Sequence, residues 1–150
     1  MGDMRIAIAS DHAGFDLKEH VKERLVAAGH DVVDVGTDSD ASTDYPSYAR
    51  PAAQLVGRGE AERGVLVCGS GVGVSIVANK VPGVRAVNAH DPDEAQLARA
   101  HNDVNVVTLS GRRIDPDAAD AIVQAFLDGE FEGGRHARRV ALIEDGPAAG

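Results

Sequence analysis

Short apolar runs recur along the chain, and most of their residues are β-branched. Each run is bounded by Gly, Asp, Asn or Ser, residues that commonly end strands. Because few polar residues interrupt them, the runs are typical of strands that are buried on both faces, as in a parallel sheet. The predicted strands are residues 6–9, 32–35, 65–68, 84–87 and 104–109.

Longer amphipathic segments separate these runs. In the first segment Leu17, Val21 and Leu25 recur at four-residue spacing and Gly29 ends the pattern, as expected for a helix that buries one face. The predicted helices are residues 15–28, 47–56, 73–80, 93–101 and 117–127, followed by a short basic helix at 133–143.

The alternation of strands and helices predicts an α/β fold. We expect a single doubly wound, Rossmann-like domain over residues 1–145, with a five-stranded parallel sheet and a C-terminal helix. Residues 146–150 are expected to form a flexible tail. Ligands of such folds bind beyond the carboxyl ends of the strands, so the residues that follow each strand are candidates for a site.

The net charge of the chain limits its partners. A formal charge of −9 argues against broad binding to nucleic acid or to an anionic membrane, because both need a basic face. A small anion is not excluded, since a few converging arginines are enough to bind one.

The chain has one cysteine, Cys68, which cannot form an intramolecular disulfide. Its first residues lack the apolar run of a signal peptide, and no later stretch is long enough to span a membrane. We therefore expect a cytoplasmic protein.

A glycine-rich turn follows the third predicted strand. Glycines at 69, 71 and 73 can direct several N–H groups at one spot, beside the positive end of a helix. Such a turn can hold a phosphate or stabilise an oxyanion, although it can equally be a plain structural turn. It lacks the spacing of a dinucleotide-binding fingerprint and the Lys-Ser/Thr pair of a P-loop.

Cys68 stands at the start of this turn. A free cysteine is usually a small core residue, but a strand end beside a helix N-terminus favours a thiolate. The sequence leaves open whether such a thiolate would be a nucleophile or a base that abstracts a proton.

Other candidates have structural explanations beside their functional ones. Asp11 and His12 fit a turn, His101 fits a partner for a helix C-terminus, and the arginines at 135, 138 and 139 fit a solvated helix face. The histidines form no strong metal pattern, and we expect neither close i, i+4 pairing with acids nor a metal site.

Several ordered motifs carry the strongest signal when they are taken together. They are Ala-Ser-Asp-His-Ala-Gly-Phe at 9–15, Thr-Asp-Tyr-Pro at 43–46, Cys-Gly-Ser-Gly-Val-Gly at 68–73, Ala-Asn-Lys at 78–80, Arg-Ala at 85–86, His-Asn-Asp at 101–103 with Asn105, and Glu-Gly-Gly-Arg-His at 132–136 with Arg139 and Val140. From about residue 4 to residue 143 the chain resembles the ribose-5-phosphate isomerase B family, which also contains the galactose-6-phosphate isomerase subunits.

The resemblance implies an aldose–ketose isomerase that works through a cis-enediolate without a cofactor. Cys68 corresponds to the base that moves the proton, His101 to the residue that opens the sugar ring, and Ser70 to a donor for the enediolate oxygen. The residues implied to bind substrate are Asp11, His12, Tyr45, Gly69, Gly71, Val72, Gly73, Asn102, Arg112, Arg135 and Arg139. Among these, Arg135 and Arg139 are best placed for the phosphate.

The resemblance also implies a homodimer, or a dimer of such dimers, with shared active sites, in which the arginine tail and His12 serve the partner's Cys68. The implied reaction is ribose 5-phosphate to ribulose 5-phosphate, a step of the pentose phosphate pathway. Alternatives are the same isomerisation of erythrulose 4-phosphate, allose 6-phosphate or galactose 6-phosphate, and a non-catalytic sugar-phosphate-binding subunit. Ser stands at 70 where many members have Thr, and no role is assigned to residues 88–92.

Overall fold

The computed structural model of the protein describes residues 3–145. Its strands are β1 (Arg5–Ser10), β2 (Asp31–Gly36), β3 (Arg63–Cys68), β4 (Ala86–Asn88) and β5 (Val106–Ser110). Its α-helices are α1 (Phe15–Ala27), α2 (Pro46–Gly57), α3 (Val72–Asn79), α4 (Pro92–Asn102), α5 (Pro116–Asp128) and α6 (Arg135–Asp145), and a short 3₁₀ turn (His12–Gly14) joins β1 to α1.

The strands form one parallel sheet in the order β2-β1-β3-β5-β4. The predicted α/β fold with a five-stranded parallel sheet is therefore confirmed, and so is the C-terminal helix α6. The predicted flexible tail at 146–150 lies outside the described residues. Within the described part of the chain, no helix has the length and apolar character needed to cross a membrane.

Each face of the sheet carries its own hydrophobic core, which makes the fold doubly wound. Alternate residues of a strand point to opposite faces, so Ile6 and Ile8 pack with α1, α4 and α5, whereas Ala7 and Ala9 pack with α2 and α3. In β3, Leu66 and Cys68 share the side of α2 and α3. This register decides which helix end lies next to the cysteine.

Side-chain caps fix the starts of two helices one residue before their predicted positions. Asp91 Oδ1 accepts a hydrogen bond from Glu94 N at 2.9 Å, and Pro92 is the first residue of α4. Asp115 caps α5 in the same way, with Pro116 as the first helical residue. The aspartate side chain accepts a hydrogen bond from a free N–H group in the first turn of the helix. Proline has no N–H group, so at the first helical position it leaves no donor unsatisfied.

Strands β4 and β5 begin two residues later than predicted, because Arg85 and Asn105 pair with each other outside the sheet. Asn105 Oδ1 accepts a hydrogen bond from Arg85 N at 2.9 Å, and Arg85 O accepts one from Asn105 N at 2.9 Å. The Arg85 side chain then turns to the end of α4, where its Nε donates to Asn102 O at 3.0 Å.

A buried lysine anchors the loop that follows β2. Lys18 is fully buried, and its Nζ donates to both carboxylate oxygens of Asp34 at 2.9 Å and to Thr37 O at 2.6 Å. Burial alone would raise the pKa of Asp34, but the hydrogen bonds from Lys18 and Lys22 hold it below its usual range. The ion pair fixes the start of the loop that leads to Thr43 and Tyr45.

Candidate active site

A groove of about 400 Å³ opens at the carboxyl ends of β1 and β3. These strands are neighbours, but the helices that follow them, α1 and α3, cover opposite faces of the sheet. Open α/β sheets bind ligands where the connections diverge in this way. The groove brings together most of the predicted site residues: Asp11, His12, Tyr45, Cys68, Gly69, Ser70, Val72, Gly73 and Arg112, with Ala13 and Ile76 beside them.

Cys68 is the last residue of β3, and its free thiol is 4% exposed. Gly71 N donates a hydrogen bond to Cys68 Sγ at 3.2 Å. Helix α3 begins at Val72, so the sulfur also lies near the positive end of a helix. An amide hydrogen bond and a helix N-terminus are both features that stabilise negative charge on a sulfur.

Gly71 gives the turn its shape. Its φ of +78° lies in the left-handed region that glycine adopts without strain. A Cβ at this position would lie 2.4 Å from Asn88 Oδ1 and 3.0 Å from the backbone carbon of Leu109. Neither the backbone angle nor the space therefore suits any other residue.

The other two glycines let large side chains approach the turn. A Cβ on Gly73 would lie 2.6 Å from the ring of Tyr45, and one on Gly69 would lie 3.1 Å from the guanidinium carbon of Arg112. Tyr45 and Arg112 come from distant parts of the sequence and form two walls of the groove.

A layer of polar side chains beneath the turn holds its carbonyl groups. Ser110 Oγ donates to Gly69 O at 2.6 Å, and Thr108 Oγ1 donates to Gly71 O at 2.9 Å. Thr108 Oγ1 also lies 3.3 Å from Asn88 Oδ1. Asn88, Thr108 and Ser110 were not predicted as site residues. For Thr108 and Ser110, the available signal was a hydroxyl group within an otherwise apolar buried strand.

Asp11 and His12 are oriented by the backbone. Asp11 Oδ1 caps the 3₁₀ turn by accepting a hydrogen bond from Gly14 N at 3.0 Å. His12 Nδ1 accepts one from Thr43 N at 3.1 Å, which leaves Nε2 as the ring nitrogen that can donate. His12 lines the same groove as Cys68 of its own chain, and the expectation that it serves the partner's cysteine stays a prediction.

Ser70 is exposed at the mouth of the groove. Its Oγ accepts a hydrogen bond from Val72 N at 3.1 Å and can still donate its own proton. The amides of Gly73 and Val74 belong to the first turn of α3, where N–H groups have no intrahelical partner. Ser70 and Gly73 line the groove together with Cys68.

His101 and Asn102, which the resemblance assigns to the site, do not lie at the carboxyl edge of the sheet. They end α4, which runs back along the sheet after β4, and Asn102 O is bound there by Arg85, just before β4 begins. They therefore lie at the opposite edge from Cys68. Neither residue lines the groove of its own chain.

Arg112 and the two arginines of α6 are separated in the same way. Arg112 lines the groove, and its N donates to Gly69 O at 3.2 Å. Arg135 and Arg139 are exposed on α6, which packs on α4, and they do not reach the groove of their own chain.

Known proteins resemble this chain in both sequence and structure. Residues 6–143 match the ribose/galactose isomerase family. The chain is 48% identical over 139 residues to ribose-5-phosphate isomerase B of Escherichia coli, with 93% of each chain covered. It is 42% identical over 141 residues to D-erythrulose-4-phosphate isomerase of Pectobacterium atrosepticum, again with 93% of each chain covered. A crystal structure of a ribose 5-phosphate isomerase from Thermotoga maritima superposes with a TM-score of 0.93 at 48% identity and covers 96% of this chain and 99% of that chain.

The chain belongs to the ribose/galactose isomerase family. The resemblance drawn from the motifs is thereby confirmed, and the isomerase class is confirmed with it.

Two histidines of this family member pair with acidic residues four positions away, so the expectation of no such pairing is wrong. His90 Nδ1 lies 3.0 Å from Glu94 Oε2, and His136 Nε2 lies 3.6 Å from Glu132 Oε1. Ligand atoms of His101, Glu132 and His136 all lie within 4.8 Å of one another.

The geometry of this second cluster does not suit a metal ion. The rings of His101 and His136 are stacked with 14° between their planes. Their in-plane lone pairs therefore lie in two separate, nearly parallel planes, whereas a metal needs both nitrogens to point at one position about 2.0–2.1 Å away. The cluster as it stands is a stacked pair beside a carboxylate.

The glycine turn of this isomerase can be tested with Gly71→Ala against Gly59→Ala. Both positions have a positive φ, but a Cβ at Gly59 meets nothing within 4 Å. Each change is expected to cost about 1–2 kcal/mol of backbone strain. Gly71→Ala should destabilise the protein further and lower its isomerase activity, as measured by thermal unfolding and turnover. Equal effects of the two substitutions would contradict the tight turn described here.

Proposed function

We propose that the protein interconverts an aldose phosphate and a ketose phosphate, with ribose 5-phosphate and ribulose 5-phosphate as its substrates and Cys68 as the base. The observation that carries this proposal is the position of Cys68 in the groove of a ribose/galactose isomerase, with Gly71 N donating to its sulfur.

The proposed reaction moves one proton between neighbouring carbons of the open-chain sugar. Cys68 Sγ takes the proton from C2 of the aldose, and the electrons of that bond form a cis-enediolate with negative charge on O1. The thiol returns the proton to C1 while the proton of the O2 hydroxyl passes to O1, and this leaves a hydroxyl at C1 and the carbonyl at C2. Amides of the glycine turn and the Ser70 hydroxyl are placed to donate to the enediolate oxygen, where preorganised donors are most effective.

Asp11 and His12 are suited to bind the sugar. The buried carboxylate of Asp11 can accept a hydrogen bond from a sugar hydroxyl. The Nε2–H of His12 can donate a hydrogen bond to a hydroxyl or phosphate oxygen. Arg112 forms the far wall of the groove, where a guanidinium can hold phosphate through two hydrogen bonds.

Two relatives support different sugar phosphates as substrate. The Escherichia coli and Thermotoga maritima proteins are named for ribose 5-phosphate, and the Pectobacterium protein for D-erythrulose 4-phosphate. The same groove chemistry serves both sugars, because they differ in length beyond the reacting carbons. Ribose 5-phosphate is the proposed substrate, and erythrulose 4-phosphate is the alternative.

The substrate can be assigned by measuring kcat/KM side by side for ribose 5-phosphate, erythrulose 4-phosphate, allose 6-phosphate and galactose 6-phosphate. We expect ribose 5-phosphate to lead by about tenfold or more, the discrimination that one carbon unit can give. A higher kcat/KM for erythrulose 4-phosphate would support the proposed mechanism but assign erythrulose 4-phosphate as the substrate. No turnover of any of the four would contradict the proposed function.

Cys68→Ala tests the base. Loss of the thiol should lower turnover by about a hundredfold or more, since proton abstraction has no replacement group at position 74, which is Val. Binding of ribitol 5-phosphate, which has no carbonyl and cannot react, should stay close to that of the unchanged protein in calorimetry. Near-normal turnover in the variant would show that another group is the base.

We further propose that two copies of the chain complete each other's sites. His101, Asn102, Arg135 and Arg139 belong to the implied site yet lie away from the groove of their own chain. Apolar side chains are exposed at the rim of that groove, with Val72 at 50% and Ile76 at 54%. A second copy that covers this rim would bring its own histidine, asparagine and arginines to Cys68.

Mixing Cys68→Ala with His101→Ala tests this arrangement. Each variant alone should be nearly inactive. If sites are shared, a mixed dimer has one intact site, and free exchange of subunits should restore about a quarter of the normal activity, as expected for random pairing in a two-fold dimer. If each chain carries a complete site, mixing should restore nothing. Mixing Cys68→Ala with Cys68→Ser is the matched control, because no pairing of these variants can restore a thiol.

A further inference from the structure

A stacked histidine pair lies at the end of α4. The rings of His101 and His136 are 4.5 Å apart between centroids, with 14° between their planes. His101 is the last but one residue of α4, and its side chain is 40% exposed. His136 is the second residue of α6, and its side chain is only 11% exposed. One ring of the pair is therefore open to a ligand, and the other supports it from behind.

Glu132 lies beside both rings. Its Oε1 is 3.8 Å from His101 Nε2 and 3.6 Å from His136 Nε2. The backbone fixes this position, because Glu132 N donates to Ala100 O at 3.0 Å, one residue before His101. This hydrogen bond keeps the backbone of Glu132 next to the end of α4, so its carboxylate stays within reach of His101.

The turn between Glu132 and His136 is built from two glycines. Gly133 and Gly134 have φ of +69° and +56°, values that glycine adopts without strain. His136 N donates to Gly133 O at 3.0 Å, which starts α6 directly after the turn. This sharp reversal places the second histidine against the first.

The surroundings of His136 favour its uncharged form. Its partial burial lowers its pKa, and the positive charges of His101 and Arg135 lower it further. An uncharged imidazole can stack on His101 without repelling the positive charge that His101 acquires when it takes a proton.

We propose that Glu132 and His136 are positioning residues that hold His101 for opening the sugar ring. This inference rests on the proposed function. In that step His101 takes the proton of the O1 hydroxyl, the C1–O4 bond breaks as C1–O1 becomes a carbonyl, and O4 receives the proton from the same imidazole. The stack fixes the plane of the ring, and the Glu132 carboxylate stabilises the imidazolium that exists between the two transfers. Neither residue touches the sugar.

The chemistry of the two substrates separates ring opening from proton transfer at carbon. Ribose 5-phosphate is mainly a closed ring and must be opened first. Ribulose 5-phosphate has its O5 phosphorylated, cannot close a five-membered ring, and is already open. Exchange of its C1 proton with D₂O therefore reports on Cys68 alone, whereas conversion of ribose 5-phosphate reports on both steps.

The test applies both assays to Glu132→Gln, His136→Leu and His136→Phe. We expect Glu132→Gln and His136→Leu to slow the conversion of ribose 5-phosphate by about tenfold, the scale of a misplaced acid–base group, and to leave the exchange of ribulose 5-phosphate within about twofold. His136→Phe keeps an aromatic ring for stacking and should retain most of the conversion. Glu130→Gln is the matched control, because it removes the same negative charge from an exposed residue of the same segment.

Equal losses in both assays would mean a general structural effect and would overturn the inference, as would unchanged conversion in Glu132→Gln and His136→Leu. Thermal unfolding of each variant identifies a failure to fold, and the exposed Glu132 side chain makes Glu132→Gln the safer variant. If the unchanged protein neither converts ribose 5-phosphate nor exchanges the ribulose 5-phosphate proton, the proposed function itself fails.

Discussion

The direction of a parallel sheet constrains everything else in this protein. All five strands run the same way, so their carboxyl ends share one edge, and each following helix must return to the other edge. Cys68 ends a strand, whereas His101 ends a helix. One chain therefore separates the proposed base from the proposed ring-opening histidine by the length of the sheet. A second copy of the chain is the direct way to unite them.

The groove depends on a second constraint, the tight packing around residues 68–73. Gly71 turns the backbone so that its N–H points at the Cys68 sulfur, and Thr108 and Ser110 hold the carbonyl groups of the turn from below. The backbone donors of the turn are thus fixed in position before the proposed substrate binds. This is preorganisation, which costs nothing at the moment of reaction.

The sequence predicted the order and type of the elements well, because their apolar periodicity is strong and glycine, proline and aspartate mark the ends. It placed the starts of β4 and β5 two residues early, since the pairing of Arg85 with Asn105 cannot be read from either segment alone. It also missed the acidic partners of His90 and His136, although Glu94 and Glu132 stand four residues away.

The sequence by itself determined the fold class, the family and the side chains of the groove, because motifs at strand ends must meet at one edge of a parallel sheet. Only the tertiary structure decided that His12 shares a groove with its own Cys68, that His101 lies at the opposite edge, and that His136 stacks on it. These relations depend on the direction in which each helix runs and on the path of the loops between elements. Helix direction and loop path cannot be predicted from the periodicity of apolar residues in the sequence.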